Sequence, residues 1–176
     1  WQLEVAYPGY WAETEKLYRE KKVTTWFDAE KQQQLVRLSS EAIGKDLSSH
    51  FARHGFVISE ATREFTSQFD DAGKTWYIND SAINYNGNGF ANTTTVEASI
   101  QKSDTQNTLN FTVNDAGKAD LLGYEIVRDG KVIAFTRSTS YVDSSVNEGN
   151  THAYEVVAYD KKLKTISTTA QVSSQE

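Results

Sequence analysis

The pattern of hydrophobic and polar positions changes once along the chain. Up to about residue 70, apolar residues recur at helical spacing with charged residues between them. From Thr93 onward, apolar and polar residues alternate, which is the period of a half-buried β-strand. The pattern predicts an α+β chain in two parts: a small helical subdomain over residues 1–70 and a sheet domain over residues 93–176. A joint over residues 71–92 connects them.

The first predicted helix carries an aromatic stripe. It follows a Pro-Gly turn at residues 8–9, and charged residues occupy its other faces. The stripe consists of Tyr10, Trp11, Leu17 and Tyr18. We expect it to pack in the core, because aromatic side chains bury large apolar areas. The alternative is that Trp11, together with Arg19, contacts a ligand.

Capping residues bound three further predicted helices. Polar side chains that accept hydrogen bonds from free amides favour helix starts at Asp28, Asp46 and Ser59. Glycine adopts positive φ readily, so the first two of these helices are expected to end at Gly44 and Gly55.

The joint is rich in asparagine, glycine and aromatic residues. Residues 76–78 are strand-like, and a loop follows them. We expect a plain connecting loop here. The alternative is that Trp76, Tyr77 and Tyr85, which do not lie on a predicted core face, are glycan-binding residues. Calcium is disfavoured, because Asp80 is the only carboxylate of this loop and calcium takes six to eight oxygen ligands.

About seven short strands are predicted in the sheet domain, separated by turn residues. Asp129 and Gly130 stand between two alternating runs, which indicates a two-residue hairpin. Many short alternating strands with regular turns are typical of an antiparallel β-sandwich of immunoglobulin or fibronectin III type.

Three segments of this domain carry a family resemblance. Residues 123–131 read Gly-Tyr-Glu-Ile-Val-Arg-Asp-Gly-Lys, residues 139–143 read Thr-Ser-Tyr-Val-Asp, and residues 154–160 read Tyr-Glu-Val-Val-Ala-Tyr-Asp. They resemble a fibronectin type III domain from a bacterial extracellular enzyme, a module that usually serves as a spacer or an adhesive arm. His152 stands where that family usually has its corner tyrosine, and an imidazole can replace the hydroxyl as a donor.

Composition excludes several classes of function. The chain has no cysteine, so neither disulfides nor thiolate chemistry are available to it. Its net charge is −6 and its basic residues form no stripe, so nucleic acid is not an expected partner. No apolar run approaches the roughly 20 residues that span a bilayer. The chain opens at Trp1 without a methionine, and we expect it to be a piece of a longer protein.

His50 and His54 are four residues apart, which places both imidazoles on one face of a helix, as in many zinc sites. However, Phe51 occupies the position of the glutamate in an HExxH site, and no third ligand follows. We therefore expect packing residues, with no catalytic or metal-binding residue in this chain. An independent metallohydrolase that uses the two histidines is the weaker alternative.

Residues 46–56 read Asp-Leu-Ser-Ser-His-Phe-Ala-Arg-His-Gly-Phe. With the Tyr-Pro-Gly-Tyr-Trp run at residues 7–11 and the Leu-Ser-Ser run at 38–40, this segment resembles the closing part of the peptidase domain in enhancin-like, mucin-targeting zinc metallopeptidases of family M60. On that pattern His50 and His54 stand where the family usually has aromatic packing residues.

The resemblance implies that the zinc helix lies upstream, in a parent enzyme that contains zinc. The chain is then expected to be a noncatalytic C-terminal fragment of a secreted bacterial metallopeptidase, extracellular or on the cell surface. Its partners would be the rest of the parent peptidase and a mucin or other host glycoprotein. The alternative is a carbohydrate-binding or adhesion module of a bacterial extracellular protein.

Overall fold

The computed structural model describes residues 2–24, 27–73, 85–146 and 151–172. The chain divides into two units, Trp1–Tyr77 and Ile78–Glu176. The first unit is built mainly from helices and the second mainly from strands. No helix in the described ranges combines the length and apolar character needed to cross a bilayer.

In its described residues the first unit contains five helices and one two-stranded parallel sheet. These elements are α1 (Gln2–Ala6), α2 (Tyr10–Glu20), α3 (Asp28–Ile43), β1 (Lys45–Asp46), α4 (Ser48–Arg53), α5 (Glu60–Thr66) and β2 (Asp70–Asp71). The short elements α1, β1 and β2 were not predicted, because elements of two to five residues are too short to show a period.

The predicted helix starts hold to different degrees. The side chain of Ser59 accepts a hydrogen bond of 3.2 Å from the amide of Thr62, so the cap of α5 is confirmed. Asp28 is instead the first residue of α3, one position after the cap. Asp46 lies in β1, but its Oδ1 still accepts a hydrogen bond of 2.8 Å from the amide of Ser48.

The end of α4 is a Schellman turn. Gly55 has φ of 88°, a conformation that costs glycine little. The amide of Phe56 donates to the carbonyl of Phe51 at 3.1 Å, and the amide of Gly55 donates to that of Ala52 at 3.0 Å. The rings of Phe51 and Phe56 lie 5.1 Å apart, which supplies the apolar contact of the motif. The predicted end at Gly55 is therefore confirmed.

The aromatic stripe of α2 faces the core only in part. Tyr10 is 2% exposed and Trp11 is 50% exposed. Successive helical residues point about 100° apart, so both rings cannot face the same side. The expectation that Trp11 packs in the core was wrong. The core of this unit is formed by Leu3, Tyr10, Val36, Leu47, Phe51, Ala52 and Ile58.

The second unit consists of eight strands and one short helix in its described residues. They are β3 (Val96–Lys102), β4 (Asn107–Val113), α6 (Asp115–Lys118), β5 (Leu121–Arg128), β6 (Lys131–Thr136), β7 (Ser140–Asp143), β8 (Tyr154–Asp160), β9 (Thr165–Thr169) and β10 (Gln171–Val172). The predicted alternating segments are confirmed as strands in these ranges.

Two four-stranded sheets share one core. Their strand orders are β10-β3-β4-β7 and β6-β5-β8-β9. The alternating apolar residues of both sheets pack together, as the period of two requires. The buried cluster comprises Phe90, Val96, Ile100, Leu109, Phe111, Val113, Tyr124, Ile126, Ala134, Tyr154, Val156 and Ala158.

The hairpin between β5 and β6 is confirmed at Asp129 and Gly130. Both residues have positive φ, 51° and 78°, as a two-residue hairpin turn of this kind requires. The prediction of a wholly antiparallel arrangement was wrong at one strand, because β10 pairs with β3 in parallel. After β9 the chain passes from one sheet to the other, so β10 arrives at the edge of β3 running in the same direction. A fibronectin III identity for this unit stays a prediction.

Candidate functional site

The histidine pair lies on α4 within the helical unit. His50 is 6% exposed, and its ring meets that of Phe51 edge-on at 5.5 Å. The ring centroid of His54 lies 4.8 Å from that of His50. His54 itself is exposed, and its Nε2 lies 3.1 Å from Oε1 of Gln2. Only the first histidine is therefore buried, whereas the second lies at the surface of the unit.

The surroundings of both imidazoles disfavour their protonated form. Burial lowers the pKa of His50 to about 4, and the nearby His54 and Arg53 add to this effect. Partial desolvation of its ring, followed by the charge of Arg53, also lowers the pKa of the more exposed His54. Neutral imidazoles are competent ligands, but the Arg53 guanidinium that disfavours their protonation equally disfavours a metal cation.

The described residues do not fit the zinc ion that the family resemblance implies. Across residues 2–24, 27–73, 85–146 and 151–172, no three His, Cys, Asp or Glu side chains gather closely enough to hold a metal ion. The whole sequence has three histidines, and none is followed by glutamate. A zinc hydrolase needs three protein ligands and a general base. No step of zinc chemistry is therefore assigned to this chain.

Of the three candidate glycan-binding residues, Trp76 and Tyr77 lie outside the described residues. Tyr85 is half-buried, and its hydroxyl donates to Oδ1 of Asp120 and accepts from the amide of Gly89 at 2.9 Å. The Lys161 ammonium lies 5.4 Å from the centroid of its ring. The hydrogen bond to Asp120 is the main cause that raises the pKa of Tyr85. The hydroxyl is thus engaged within the protein, and a ligand would meet the ring.

Asp160 fastens the segment before β3 to the sheets, which sequence reasoning missed. Its carboxylate is fully buried, and Oδ2 accepts a hydrogen bond of 2.7 Å from the amide of Phe90. Oδ1 accepts from the amides of Lys162 at 2.7 Å and Lys164 at 2.9 Å. The available signal was an aspartate at the start of a predicted turn, where such side chains often bind local amides.

His152 bridges to the β5–β6 hairpin. Its Nδ1 lies 2.6 Å from Oδ2 of Asp129, whose Oδ1 accepts from the amide of Ala153 at 2.9 Å. The imidazole therefore joins the residues just before β8 to the hairpin turn through a side-chain carboxylate. This contact supports a structural part for His152.

The other aromatic candidate for a ligand contact is Trp11. Its indole is half exposed, and its backbone amide donates to Oε2 of Glu4 at 3.1 Å. Arg19, considered with it, is 69% exposed and pairs with Glu15 at 3.3 Å. The two side chains lie two turns apart on α2, and no further group joins them into a site in the described chain.

Neither a family model nor a curated protein matches this chain. Solved structures do match it. The M60 catalytic domain from Clostridium perfringens ZmpC, in complex with the sialyl T antigen, is 35% identical over 97% of this chain and 34% of that one, with a TM-score of 0.51. The ZmpB metallopeptidase from Clostridium perfringens is 33% identical over 97% of this chain and 34% of that one, with a TM-score of 0.50.

The chain is therefore similar in sequence and structure to M60 peptidase catalytic domains. The predicted likeness to these peptidases is confirmed at that level. It spans about a third of the length of these relatives.

Proposed function

We propose that this chain is a noncatalytic part of a secreted bacterial zinc metallopeptidase that acts on mucin-type or other glycoproteins. The observation that carries the proposal is the 35% identity, over 97% of the chain, with an M60 catalytic domain whose structure contains a sialylated glycan. Under this proposal the zinc ligands and the general base come from another part of the parent enzyme. The partners are the rest of that enzyme and the glycoprotein substrate, outside the cell or at its surface.

The packing of the helical unit supports a noncatalytic role for this chain. Residues 46–56, the segment that marks the family resemblance, place Leu47, Phe51 and Ala52 in the core of the unit. His50 is buried among them, which suits a position where the family usually has an aromatic residue. The segment thus stabilises a helical layer instead of supplying chemistry.

We also infer that the second unit is an immunoglobulin or fibronectin III-like sandwich that serves as a spacer. Its two four-stranded sheets share one apolar core, and eight short strands follow one another within residues 96–172 of the described chain. The parallel pairing of β10 with β3 lies at a sheet edge and leaves this core unchanged.

The test compares this chain with the parent polypeptide that includes the upstream zinc helix. Each is incubated with a sialylated mucin-type glycopeptide, and cleavage is followed by mass spectrometry. We expect the chain alone to be inactive and the parent to cleave, with loss of cleavage on chelation of zinc. An upstream gene sequence without HExxH contradicts the proposal. So does chelator-sensitive cleavage by the chain alone that His50→Ala abolishes and His152→Ala, the matched control, retains.

The second candidate function is a carbohydrate-binding or adhesion module that uses Trp76, Tyr77 and Tyr85. The observation that favours it is that the ring of Tyr85 is only half-buried although its hydroxyl is bound. Titration with mucin-type glycans tests it. Trp76→Ala and Tyr85→Ala should weaken binding, while Tyr85→Phe, which keeps the ring, should retain it. Equal binding by all variants contradicts this candidate.

A further inference from the structure

A groove of about 520 Å³ lies on the outer face of the sheet that contains β3 and β4. The polar side chains that line it are Glu97, Ser99, Asn110, Thr112 and Thr139. Glu97 pairs with Thr112, and Ser99 pairs with Asn110, in the antiparallel register, so these four side chains share one face. The intervening pair, Ala98 and Phe111, packs against the core, which places the groove on the opposite face.

One wall of the groove is formed where the chain crosses from one sheet to the other. The pairing of β7 with β4 ends at Asn110 and Ser140. One residue further on, the amide of Phe111 donates to the carbonyl of Thr139 at 2.9 Å. The crossing segment is itself turned by a hydrogen bond of 3.0 Å from the amide of Ser138 to Oγ1 of Thr136. The wall is therefore held by one backbone hydrogen bond and by one hydrogen bond from a backbone amide to a side-chain hydroxyl.

Most of the polar groups in the groove are available to a ligand. Within the described part of the chain, the side chains of Glu97, Ser99, Asn110 and Thr139 have no protein hydrogen-bond partner. The hydroxyl of Thr112 donates to the carbonyl of Val113 at 3.0 Å. Together the available groups offer one carboxylate, one amide that both donates and accepts, and two hydroxyls.

The charge of the groove selects among ligand classes. Its lining includes the carboxylate of Glu97 and no lysine or arginine. A carboxylate without a neighbouring cation repels phosphate, sulfate and carboxylate groups. Carboxylate, amide and hydroxyl groups instead match the adjacent hydroxyls of a neutral sugar, which both donate and accept.

We propose that this groove binds a neutral saccharide unit, with Asn110 and Glu97 hydrogen-bonded to adjacent sugar hydroxyls and Ser99 and Thr139 beside them. The proposal rests on the proposed function, and it assigns part of the glycan recognition to the sheet unit. No aromatic ring of the lining faces the groove, since Phe111 packs in the core. Binding therefore depends on hydrogen bonds and is weak, with Kd on the order of millimolar.

The experiment is an NMR titration of the 176-residue chain with a sialylated mucin-type trisaccharide and with the neutral disaccharide left after sialidase treatment. We expect the neutral disaccharide to shift the amide signals of β3 and β4. Asn110→Ala and Ser99→Ala should each weaken this binding by about tenfold, the loss of roughly one to two hydrogen bonds. Gln101→Ala is the matched control, since Gln101 pairs with Thr108 one pleat further along the same face; its binding should be unchanged.

Charge is tested with the sialylated ligand. We expect it to bind at least about tenfold more weakly than the neutral one, and Glu97→Gln should narrow that difference. Thermal unfolding of each variant verifies that the surface change leaves the fold intact. Equal affinity for the two ligands, absence of neutral-sugar binding at tens of millimolar, or unchanged binding by both Asn110→Ala and Ser99→Ala overturns the proposal.

The experiments distinguish failure of the saccharide-binding proposal for the groove from failure of the proposed function. A parent enzyme that cleaves glycopeptide in a zinc-dependent way, combined with a groove that binds no sugar, overturns the groove alone. An inactive parent that lacks the HExxH segment overturns the proposed function, whatever the titration of the groove gives.

Discussion

The phenol of Tyr154 donates a hydrogen bond of 2.7 Å to Oδ2 of Asp143, and it joins the two sheets through side chains that are 3% and 2% exposed. The guanidinium of Arg128 donates to the same oxygen at 2.9 Å. Nδ2 of Asn107 donates to the phenol at 3.0 Å. Burial is the main cause that raises the pKa of Tyr154 to about 12, so the phenol stays a donor. This buried network contributes to stability only while every member is paired.

Removal of the Tyr154 hydroxyl should therefore destabilise the sheet unit. Tyr154→Phe leaves a buried carboxylate and a buried amide each short of one partner, which costs about 1 to 3 kcal/mol of unfolding free energy. Urea unfolding at pH 7, followed by near-ultraviolet circular dichroism, measures it. Tyr18→Phe removes the same atom from a half-buried residue and should change the free energy by less than about 0.5 kcal/mol. A Tyr154→Phe change as small as that of the control contradicts the role of the network.

The stability of the helical unit should fall as the pH drops from about 6.5 to about 4. An unfolded histidine has a pKa of about 6.5, and burial lowers the pKa of His50 to about 4 in the folded chain. Between pH 6.5 and 4 the unfolded state therefore binds this proton more tightly than the folded state. The free energy of unfolding is highest above pH 6.5 and decreases as the pH falls through this window. The slope from this one residue is at most about 1.4 kcal/mol per pH unit.

Urea unfolding at a series of pH values, of the unsubstituted 176-residue chain and of its His50→Phe variant, measures this slope. We expect His50→Phe to be flatter between pH 6.5 and 4. His54→Phe is the matched control on the same helix, and because His54 is exposed it should change the slope less. Equal slopes in the unsubstituted chain and in His50→Phe would contradict the attribution of this pH dependence to His50.

Asp160 should be required for the docking of residues 85–95 onto the sheets. Asp160→Ala leaves the amides of Phe90, Lys162 and Lys164 without their carboxylate, at a cost of about 3 kcal/mol or more. Limited proteolysis should then cleave near residue 88 much faster than in the unsubstituted chain. Asp104→Ala, an exposed aspartate in the β3–β4 turn, serves as the control and should leave the cleavage rate unchanged.

A second substitution tests the same contact from the other side. Gly89 has φ of 74°, and a Cβ there would collide with Oδ2 of Asp160. Gly89→Ala should therefore loosen the same segment, because both the backbone conformation and the space favour glycine. Protection of residue 88 in both variants would show that other contacts hold the segment.

The Schellman turn after α4 should tolerate alanine poorly. Gly55→Ala places a Cβ at φ of 88°, which costs about 1 kcal/mol although no neighbouring atom obstructs it. The loss should appear in the thermal unfolding of the helical unit. Gly55→Asn, which accepts positive φ better, should lose less. If alanine and asparagine are equivalent here, backbone conformation is not the cause.

The sequence by itself determined the local elements that have a clear period or a distinctive turn residue. The alternating runs became β3 to β6, β8 and β9, since a strand with one buried face must repeat every two residues. Asp129 and Gly130 marked their hairpin, and Gly55 marked the end of α4, because few other residues accept positive φ. Residues 46–56 marked the M60-like relationship, which the comparison with solved structures confirms.

Tertiary structure alone decided the relationships between residues far apart in the chain. Tyr154 and Asp143 meet only because two sheets face each other, and the Asp160 contact with Phe90 spans 70 positions. The parallel pairing of β10, the exposure of Trp11 and the groove beside Asn110 likewise depend on which faces the packing covers. A periodic pattern specifies which face of an element is apolar, but the partner of that face is selected by the free energy of the whole packed core.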